Sequence, residues 1–370
     1  MNLRTPLVAR AGVATCAVAA ASVLIAPATA SADTGYTLES VPAGVVSGGE
    51  LAIDQGRDKL FITDNNAPMQ TTGSDVIVTK SPVDPAVSVF DTTSGKPVRK
   101  IDLSNQPGGM MLIGKVPAVP TPQVPDGIAV DTKRARVLVT NAHANGVTVF
   151  GENTKAVTPK NLTSLPESHP MGAAADEQHG KFYVGLNAGS EVAVFDSASG
   201  RKVKDIKNLP YAAFVDVDES RHRAYVGSAD YESKKNNFVA VIDTDTDTVV
   251  KKIPVPNNAR PKVDPATGKV WVASFATGKI VIIDPDSLSV VQTIETTTTP
   301  AKLAIDSVHR RVYTSNLQKK TITVLGADSG AILTTLKPGV AVHTLAVDEK
   351  TGIVYGTQHM RGDLTVVTPN

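Results

Sequence analysis

The stretch that decides the fold runs from Leu303 to Gly339 and reads LAIDSVHRRVYTSNLQKKTITVLGADSGAILTTLKPG. It contains an apolar segment that closes on Asp306, a short turn, and three further segments rich in β-branched residues. Short runs of this kind, separated by Asp, Ser, Asn and Gly, are typical of antiparallel strands joined by tight turns. The stretch therefore predicts one unit of four strands and no helix.

The same pattern recurs seven times along the chain. The apolar first segments close on Asp54, Asp131, Asp176, Asp218, Asp264, Asp306 and Asp348. The matching second strands carry a bulky residue near their start, at Phe61, Leu138, Tyr183, Tyr225, Trp271, Tyr313 and Tyr355. After a longer first step, successive aspartates are 42 to 46 residues apart, which is the length of one propeller blade. We therefore predict an all-β fold, a seven-bladed β-propeller with four-stranded antiparallel blades.

The two ends of the chain predict how the ring closes. The seventh unit stops after its third strand, DLTVV at Asp363–Val367, and lacks an outer strand. The segment YTLESVPAG at Tyr36–Gly44 reads like the sixth outer strand, ILTTLKPG at Ile332–Gly339. We expect Tyr36–Val41 to pair beside Leu364–Val367, so that residues 33–370 form a single propeller domain.

Units such as LAID…VYTSN…ITVLGADSG and AAAD…FYVGLN…VAVFDSASG resemble the YVTN-repeat β-propellers, which include YncE-like periplasmic proteins. The resemblance covers the chain from Tyr36 to its end and implies the propeller fold. It implies no single activity, because similar propellers include binding proteins and lactonase-like enzymes. No catalytic motif of the family is matched residue by residue, so none is carried over.

The first 32 residues have the pattern of a signal peptide. Arg4 and Arg10 precede a small apolar run from Ala11 to Ala28, and Ala30-Ser31-Ala32 offers a cleavage site. We expect cleavage after Ala32 and a secreted or cell-envelope location. The only cysteine, Cys16, lies inside this segment, so the mature chain would have no thiol chemistry. No later stretch is long and apolar enough to span a membrane.

The near-zero net charge of the chain gives no general attraction to nucleic acid. The chain has 37 basic and 36 acidic residues, and its clearest basic clusters (Arg201–Lys207, Lys234-Lys235 and Lys319-Lys320) fall in different blades. Binding of single strands needs a basic groove with exposed aromatic side chains. We therefore expect no nucleic-acid partner.

The seven closing aspartates invite two interpretations. A carboxylate at the end of a strand can accept hydrogen bonds from the N–H groups of the following turn. Seven carboxylates around one axis could also form a ring of metal ligands. Because a residue present in every unit serves the unit more often than a reaction, we predict the turn role.

Departures from the repeat indicate where function lies, since binding residues of such rings are carried on loops. Three segments are enlarged: the loop Asn65–Pro85, the connection Asn105–Val124 and the insert Asp230–Asn237. All are predicted on one face, called the top face, which carries the loops between second and third strands and the connections between blades. Asn65 and Asn66, at the start of the longest loop, are candidate ligand-binding residues.

Histidine and methionine also concentrate on the predicted top face. The candidate ligand-binding histidines are His143, His169, His343 and His359, and the nearby methionines are Met69, Met171 and Met360. Imidazole and thioether groups together favour copper or another transition metal. Two alternatives stay open: ordinary loop residues, or an adaptable apolar patch for a peptide or small molecule.

Three functions remain at this point. We favour a binding or interaction scaffold whose ligand, a small molecule, a peptide or an envelope protein, lies on the top face. The second is a copper-binding propeller or a subunit of a redox assembly. The third is an enzyme of the lactonase or lyase type, with His169 or His343 as its general base.

Overall fold

The computed structural model describes residues 35–370, apart from 65–68, 73–74, 79–83, 114–115, 122, 232, 297–298 and 359. The predicted signal peptide at residues 1–32 therefore lies outside the described residues. Within them, no helix combines the length and the hydropathy that crossing a membrane requires.

Strands make up almost all regular structure. In chain order they are β1 (Tyr36–Pro42), β2 (Gly48–Asp54), β3 (Lys59–Asp64), β4 (Met69–Thr72), β5 (Asp75–Val78), β6 (Ala86–Asp91), β7 (Lys96–Asp102), β8 (Gly109–Ile113), β9 (Val116–Thr121), β10 (Ile128–Asp131), β11 (Arg136–Asn141), β12 (Gly146–Gly151), β13 (Leu162–Ser164), β14 (Pro170–Asp176), β15 (Lys181–Leu186) and β16 (Glu191–Asp196). They continue as β17 (Lys202–Ile206), β18 (Ala212–Asp218), β19 (Arg223–Ser228), β20 (Phe238–Asp243), β21 (Thr248–Pro254), β22 (Ala259–Val263), β23 (Val270–Ser274), β24 (Lys279–Asp284), β25 (Ser289–Glu295), β26 (Leu303–Asp306), β27 (Arg311–Asn316), β28 (Thr321–Gly326), β29 (Ile332–Leu336), β30 (Val342–Asp348), β31 (Ile353–Gln358) and β32 (Asp363–Pro369). Two single-turn 3-10 helices span Pro159–Asn161 and Glu219–Arg221.

These strands form seven four-stranded antiparallel sheets, which confirms the predicted fold class. Blade 1 contains β2, β3, β6 and β7, and blades 2 to 6 take the strands β10–β13, β14–β17, β18–β21, β22–β25 and β26–β29 in turn. Blade 7 has the order β1-β32-β31-β30, so its outer strand comes from the other end of the chain. β1 pairs with β32 from Tyr36 opposite Pro369 to Pro42 opposite Asp363.

The core lies between neighbouring blades. Phe61 of blade 1, for example, packs in one cluster with Ile128, Val137 and Phe150 of blade 2. The bulky residue of each second strand is buried in all seven blades, from Phe61 to Tyr355. A single blade would leave these side chains exposed and would be unstable alone. The closed ring is stable because it buries them against the next sheet.

The closing aspartates are turn residues, as predicted. Six of the seven carboxylates are at most 4% exposed, and the seventh, Asp348, is 5% exposed. Each accepts a hydrogen bond from a backbone N–H of the following turn, as Asp54 does from Arg57 at 3.0 Å and Asp306 does from His309 at 2.8 Å. They hold the bottom turns of the blades.

The enlarged segments form two additional hairpins. β4 pairs with β5 inside the long loop of blade 1, and β8 pairs with β9 inside the connection to blade 2. Neither hairpin joins a blade sheet. The insert of blade 4 is ordered around Asp230, whose carboxylate accepts the N–H groups of Ser233, Lys235 and Asn236.

Candidate functional site

A cavity of about 920 Å³ runs along the ring axis and is lined by the first strands of all seven blades. Its top end carries His143, His169 and His343, and its bottom end carries Glu177, Glu219 and Glu349. Large concave cavities with a few convergent polar groups are the usual binding sites of proteins. The channel is therefore the first place to look for a ligand site.

One level of the channel carries charged and aromatic side chains. Four residues before each closing aspartate, the seven units carry Glu50, Gly127, Gly172, Phe214, Arg260, Lys302 and Thr344. Because the ring places equivalent positions at the same height, these residues meet near the top end of the cavity. We call Glu50, Phe214, Arg260, Lys302 and Thr344 the upper mouth.

Arg260 is held at the upper mouth by aromatic rings. Its guanidinium carbon lies 4.6 Å from the ring centre of Phe214 and 4.8 Å from that of Phe275, at the distances of cation–π contacts. Its Nη1 donates to the carbonyl oxygen of Ala301 at 2.8 Å, and burial lowers the pKa of Arg260. Electrostatic interaction with the side chain of Tyr231, on the blade 4 insert, and with the carboxylate of Glu50 opposes that shift.

Lys302 and Glu50 form an ion pair across the inner strand of blade 7. Lys302 Nζ lies 3.0 Å from Glu50 Oε1 and 4.7 Å from the ring centre of Phe214. Thr344 Oγ1 donates to Glu50 Oε2 at 3.3 Å. Burial opposes ionisation of Glu50, but the charges of Lys302, His343 and Arg260 together outweigh it, so that the pKa of Glu50 is lowered. Burial also lowers the pKa of Lys302.

The charges at the upper mouth do not cancel. Two cationic side chains, Arg260 and Lys302, face one carboxylate, and that carboxylate is already paired with Lys302. Among the described residues, Arg260 forms hydrogen bonds but no ion pair with a carboxylate at contact distance. The arrangement therefore presents one uncompensated guanidinium, fixed in direction, to the channel.

His143, which follows β11 of blade 2, and His169, which precedes β14 of blade 3, are brought together. Their ring centres are 5.6 Å apart with an interplanar angle of 66°. His169 has a φ of 48°, and its N–H donates to Asn145 Oδ1 at 2.8 Å. Burial, together with the charge of His143, lowers the pKa of His169 to about 4. His169 is therefore a neutral imidazole at neutral pH.

The other candidates from the sequence are placed less closely together. His343 lies within β30 beside Glu50, whose ionised form it helps to stabilise. Met171 is half-buried in β14, whereas Met360 is 77% exposed. Asn65, Asn66, His359 and the side chain of Met69 lie outside the described residues.

Sequence reasoning missed Glu50, Phe214, Arg260 and Lys302. The sequence candidates were loop residues that depart from the repeat, whereas Glu50, Phe214 and Arg260 lie in first strands and Lys302 directly precedes one. Aligning the units on the closing aspartate would have revealed them, because the column four residues earlier holds two cations, an acid and an aromatic residue.

Comparison with known proteins gives a weak homology. The uncharacterized protein YncE of Salmonella typhi is 26% identical to this chain over 198 residues, which cover 50% of this chain and 54% of that protein. The protein of the same name from Salmonella typhimurium matches to the same extent. The chain thus spans about half the length of the curated relatives it matches. No protein-family model matches the chain.

Solved structures agree with the fold. The β-propeller domain of Cps50 (Swd1) from Myceliophteria thermophila superposes with a TM-score of 0.65 at 11% identity, covering 88% of this chain and 96% of that domain. Raptor of Chaetomium thermophilum gives the same TM-score and identity, covering 90% of this chain and 28% of that one. At such identities the likeness shows the propeller fold alone.

Proposed function

We propose that this protein is a secreted binding propeller that holds a small carboxylate-bearing molecule at the upper mouth of its central channel. The predicted signal peptide supports the secreted part of the proposal. The β-propeller scaffold and the homology to YncE are compatible with a binding role.

The observation that carries the proposal is the orientation of Arg260. A guanidinium is a planar fork that matches a carboxylate with two parallel hydrogen bonds. Here it is clamped between Phe214 and Phe275 beside Lys302, so little freedom remains to be lost on binding. The apolar first strands below offer room for the body of the ligand.

Calorimetric titration with benzoate and phenylacetate, each beside its neutral amide, tests the proposal. The carboxylates should bind and the amides should bind at least tenfold more weakly, because a hydrogen bond to a charged group contributes about 1.5–3 kcal/mol. Arg260→Gln should weaken carboxylate binding by about tenfold or more for the same reason. Lys279→Gln removes a cation on the same blade outside the cavity and is the matched control.

Equal binding of acids and amides, or unchanged affinity in Arg260→Gln, would refute an anion site at the upper mouth. A folded variant must be confirmed by its circular dichroism and Tm. Binding that is lost equally in Lys279→Gln would indicate a general charge effect and would also refute the site.

A transition-metal site at the top face is the second candidate, and the His143–His169 pair favours it. A neutral imidazole is the form that binds a metal, and His169 is held neutral. Copper titration of the wild type against a His143→Ala/His169→Ala double variant tests this role. Equal binding by the two proteins would contradict it.

The lactonase or lyase alternative has less support. A general base works best when its pKa lies near the working pH, and a pKa of about 4 makes His169 a weak base at neutral pH. Hydrolysis of a lactone panel by the wild type, lost in His169→Ala or His343→Ala, would favour this alternative over the binding role.

A further inference from the structure

A second cluster of chemically active side chains lies at the opposite end of the ring from the upper mouth. His179 belongs to the turn between β14 and β15 of blade 3, and His222 to the turn between β18 and β19 of blade 4. Asp245 lies in the turn between β20 and β21, also in blade 4. All three turns are on the bottom face.

The three side chains converge on one point. Asp245 Oδ1 lies 2.8 Å from His179 Nε2 and 2.8 Å from His222 Nδ1. The imidazole ring centres are 5.4 Å apart with an interplanar angle of 71°. Among the described residues, this is the one group of three His, Asp or Glu side chains whose ligand atoms all lie within 4.8 Å of one another.

The spacing is close to that of a tetrahedral metal site. Ligand atoms about 2.0–2.1 Å from a zinc ion are about 3.3 Å from each other. The two contacts of Asp245, both 2.8 Å, would each lengthen by about half an ångström to reach that spacing. Asp245 is 53% exposed on a turn, so the movement meets little resistance.

His179 is already fixed as a metal-binding histidine would be. Its Nδ1 lies 2.8 Å from Oδ2 of Asp176, a carboxylate that is fully buried. Because Asp176 holds Nδ1, Nε2 is the ring nitrogen that would face a metal ion, in place of its present contact with Asp245. A carboxylate that orients a ligand histidine in this way is a common feature of zinc sites.

The position of His179 in the repeat is occupied by arginine in three other blades. Three residues after the closing aspartate, blades 1, 2 and 4 carry Arg57, Arg134 and Arg221, each of which reaches a backbone carbonyl oxygen of the following blade. Blade 3 has His179 at this position, and it contacts Asp245 of the following blade. His179 thus keeps the contact between blades, but in place of an arginine guanidinium, which does not bind metal ions, it offers an imidazole, which does.

We propose that His179 Nε2, His222 Nδ1 and the Asp245 carboxylate bind one divalent transition metal ion of the zinc class, with the fourth position open to water. Two imidazoles and one carboxylate suit zinc better than calcium or magnesium, which prefer oxygen ligands. The bound ion would link blades 3 and 4 at the bottom face.

Zinc and cobalt titrations of the tag-free, chelator-treated mature chain test the proposal. We expect one equivalent of zinc to bind, a saturable rise in Tm, and the intense visible bands of tetrahedral cobalt. His222→Ala and Asp245→Asn should each weaken zinc binding by about tenfold or more, since each removes a ligand.

Matched controls are present in the same fold. His309 repeats the arrangement of His179, with Nδ1 2.8 Å from Asp306, but lies outside the cluster. Asp286 occupies the turn of blade 5 that corresponds to Asp245. His309→Ala and Asp286→Asn should bind zinc as the wild type does.

Two results would overturn the proposal. The first is zinc binding that is equally tight in the wild type and in His222→Ala, which would leave the group as simple His–Asp ion pairs. The second is binding that survives Asp245→Asn but is lost in a His143→Ala/His169→Ala variant, which would place the metal at the top face.

Discussion

At the scale of single residues, Glu152 occupies in blade 2 the position that Ser197 occupies in blade 3. At both positions the side chain interacts with the closing aspartate of the preceding blade. Ser197 follows the third strand of blade 3 and donates to Asp131 of blade 2 at 2.6 Å. Glu152 follows the third strand of blade 2 and faces Asp54 of blade 1 in the same way. A carboxyl group can supply the corresponding hydrogen only when it is protonated.

Glu152 is therefore a protonated acid at mildly acidic pH. It is 1% exposed, and this burial raises its pKa to about 7, with the hydrogen bond and the negative charge of Asp54 adding to the rise. The proton is bound more tightly in the folded chain than in the unfolded one. Its contribution to stability is thus present below the ordinary pKa and is lost as the pH rises through about 7.

We predict that the wild type loses stability between about pH 5 and about pH 8, and that Glu152→Gln loses less. The glutamine amide can donate to Asp54 at any pH, so its contact does not titrate. Chemical denaturation at several pH values measures this difference. A Glu152→Gln variant with the same pH dependence as the wild type would contradict the assignment.

The roles of residues that recur in every unit could be predicted from the sequence. The roles of residues that differ from the repeat could be predicted only in part. The closing aspartates were interpreted correctly because seven identical positions have one common role. Arg260 and Lys302 escaped because their importance depends on the neighbours that the ring gives them. His179 and His222 lie in bottom turns of the repeat, but their approach to Asp245 depends on how blades 3 and 4 pack together.

At the scale of elements, β1 is the strand on which the ring depends. It pairs with β32 over its whole length, and its Tyr36 is buried against blade 6. The ring of Tyr36 lies 6.3 Å from that of Tyr313, and Arg311 Nη1 donates to Tyr36 Oη at 2.8 Å. β1 thus covers the edge of blade 7 and part of the interface with blade 6.

A chain that begins at Gly44 should be strongly destabilised relative to one that begins at Gly35. The truncation exposes the edge of β32 and the Tyr313 pocket, and we expect Tm to fall by roughly 10 °C or more. Thermal unfolding followed by circular dichroism measures the change. Equal Tm values for the two chains would show that β1 contributes nothing to ring closure.

The hairpins β4–β5 and β8–β9 mark the limit of prediction at this scale. The sequence predicted enlarged segments at these two places but no regular structure within them. Their strands pair only with each other, so they have no counterpart in the other units. Alignment of the repeats therefore could not show them.

At the scale of the whole molecule, the closed ring makes one site from distant parts of the chain. Glu50 and Lys302 are 252 positions apart in sequence and 3.0 Å apart at their charged atoms. Gln55 closes the same ring at the bottom, where its Nε2 donates to the carbonyl oxygen of Val347 at 2.8 Å. The period of the repeat was sufficient to predict the ring, but not the chemistry of its channel.

The most direct test of the binding proposal is an anomalous difference map from crystals of residues 33–370 soaked with para-iodobenzoate. We predict an iodine peak inside the central channel, with the carboxylate of the ligand on Arg260 and its ring toward the apolar first strands. Soaked crystals of Arg260→Gln should lack this peak. Iodine found in the wild type only on the outer surface of the blades, or unchanged in Arg260→Gln, would contradict the account.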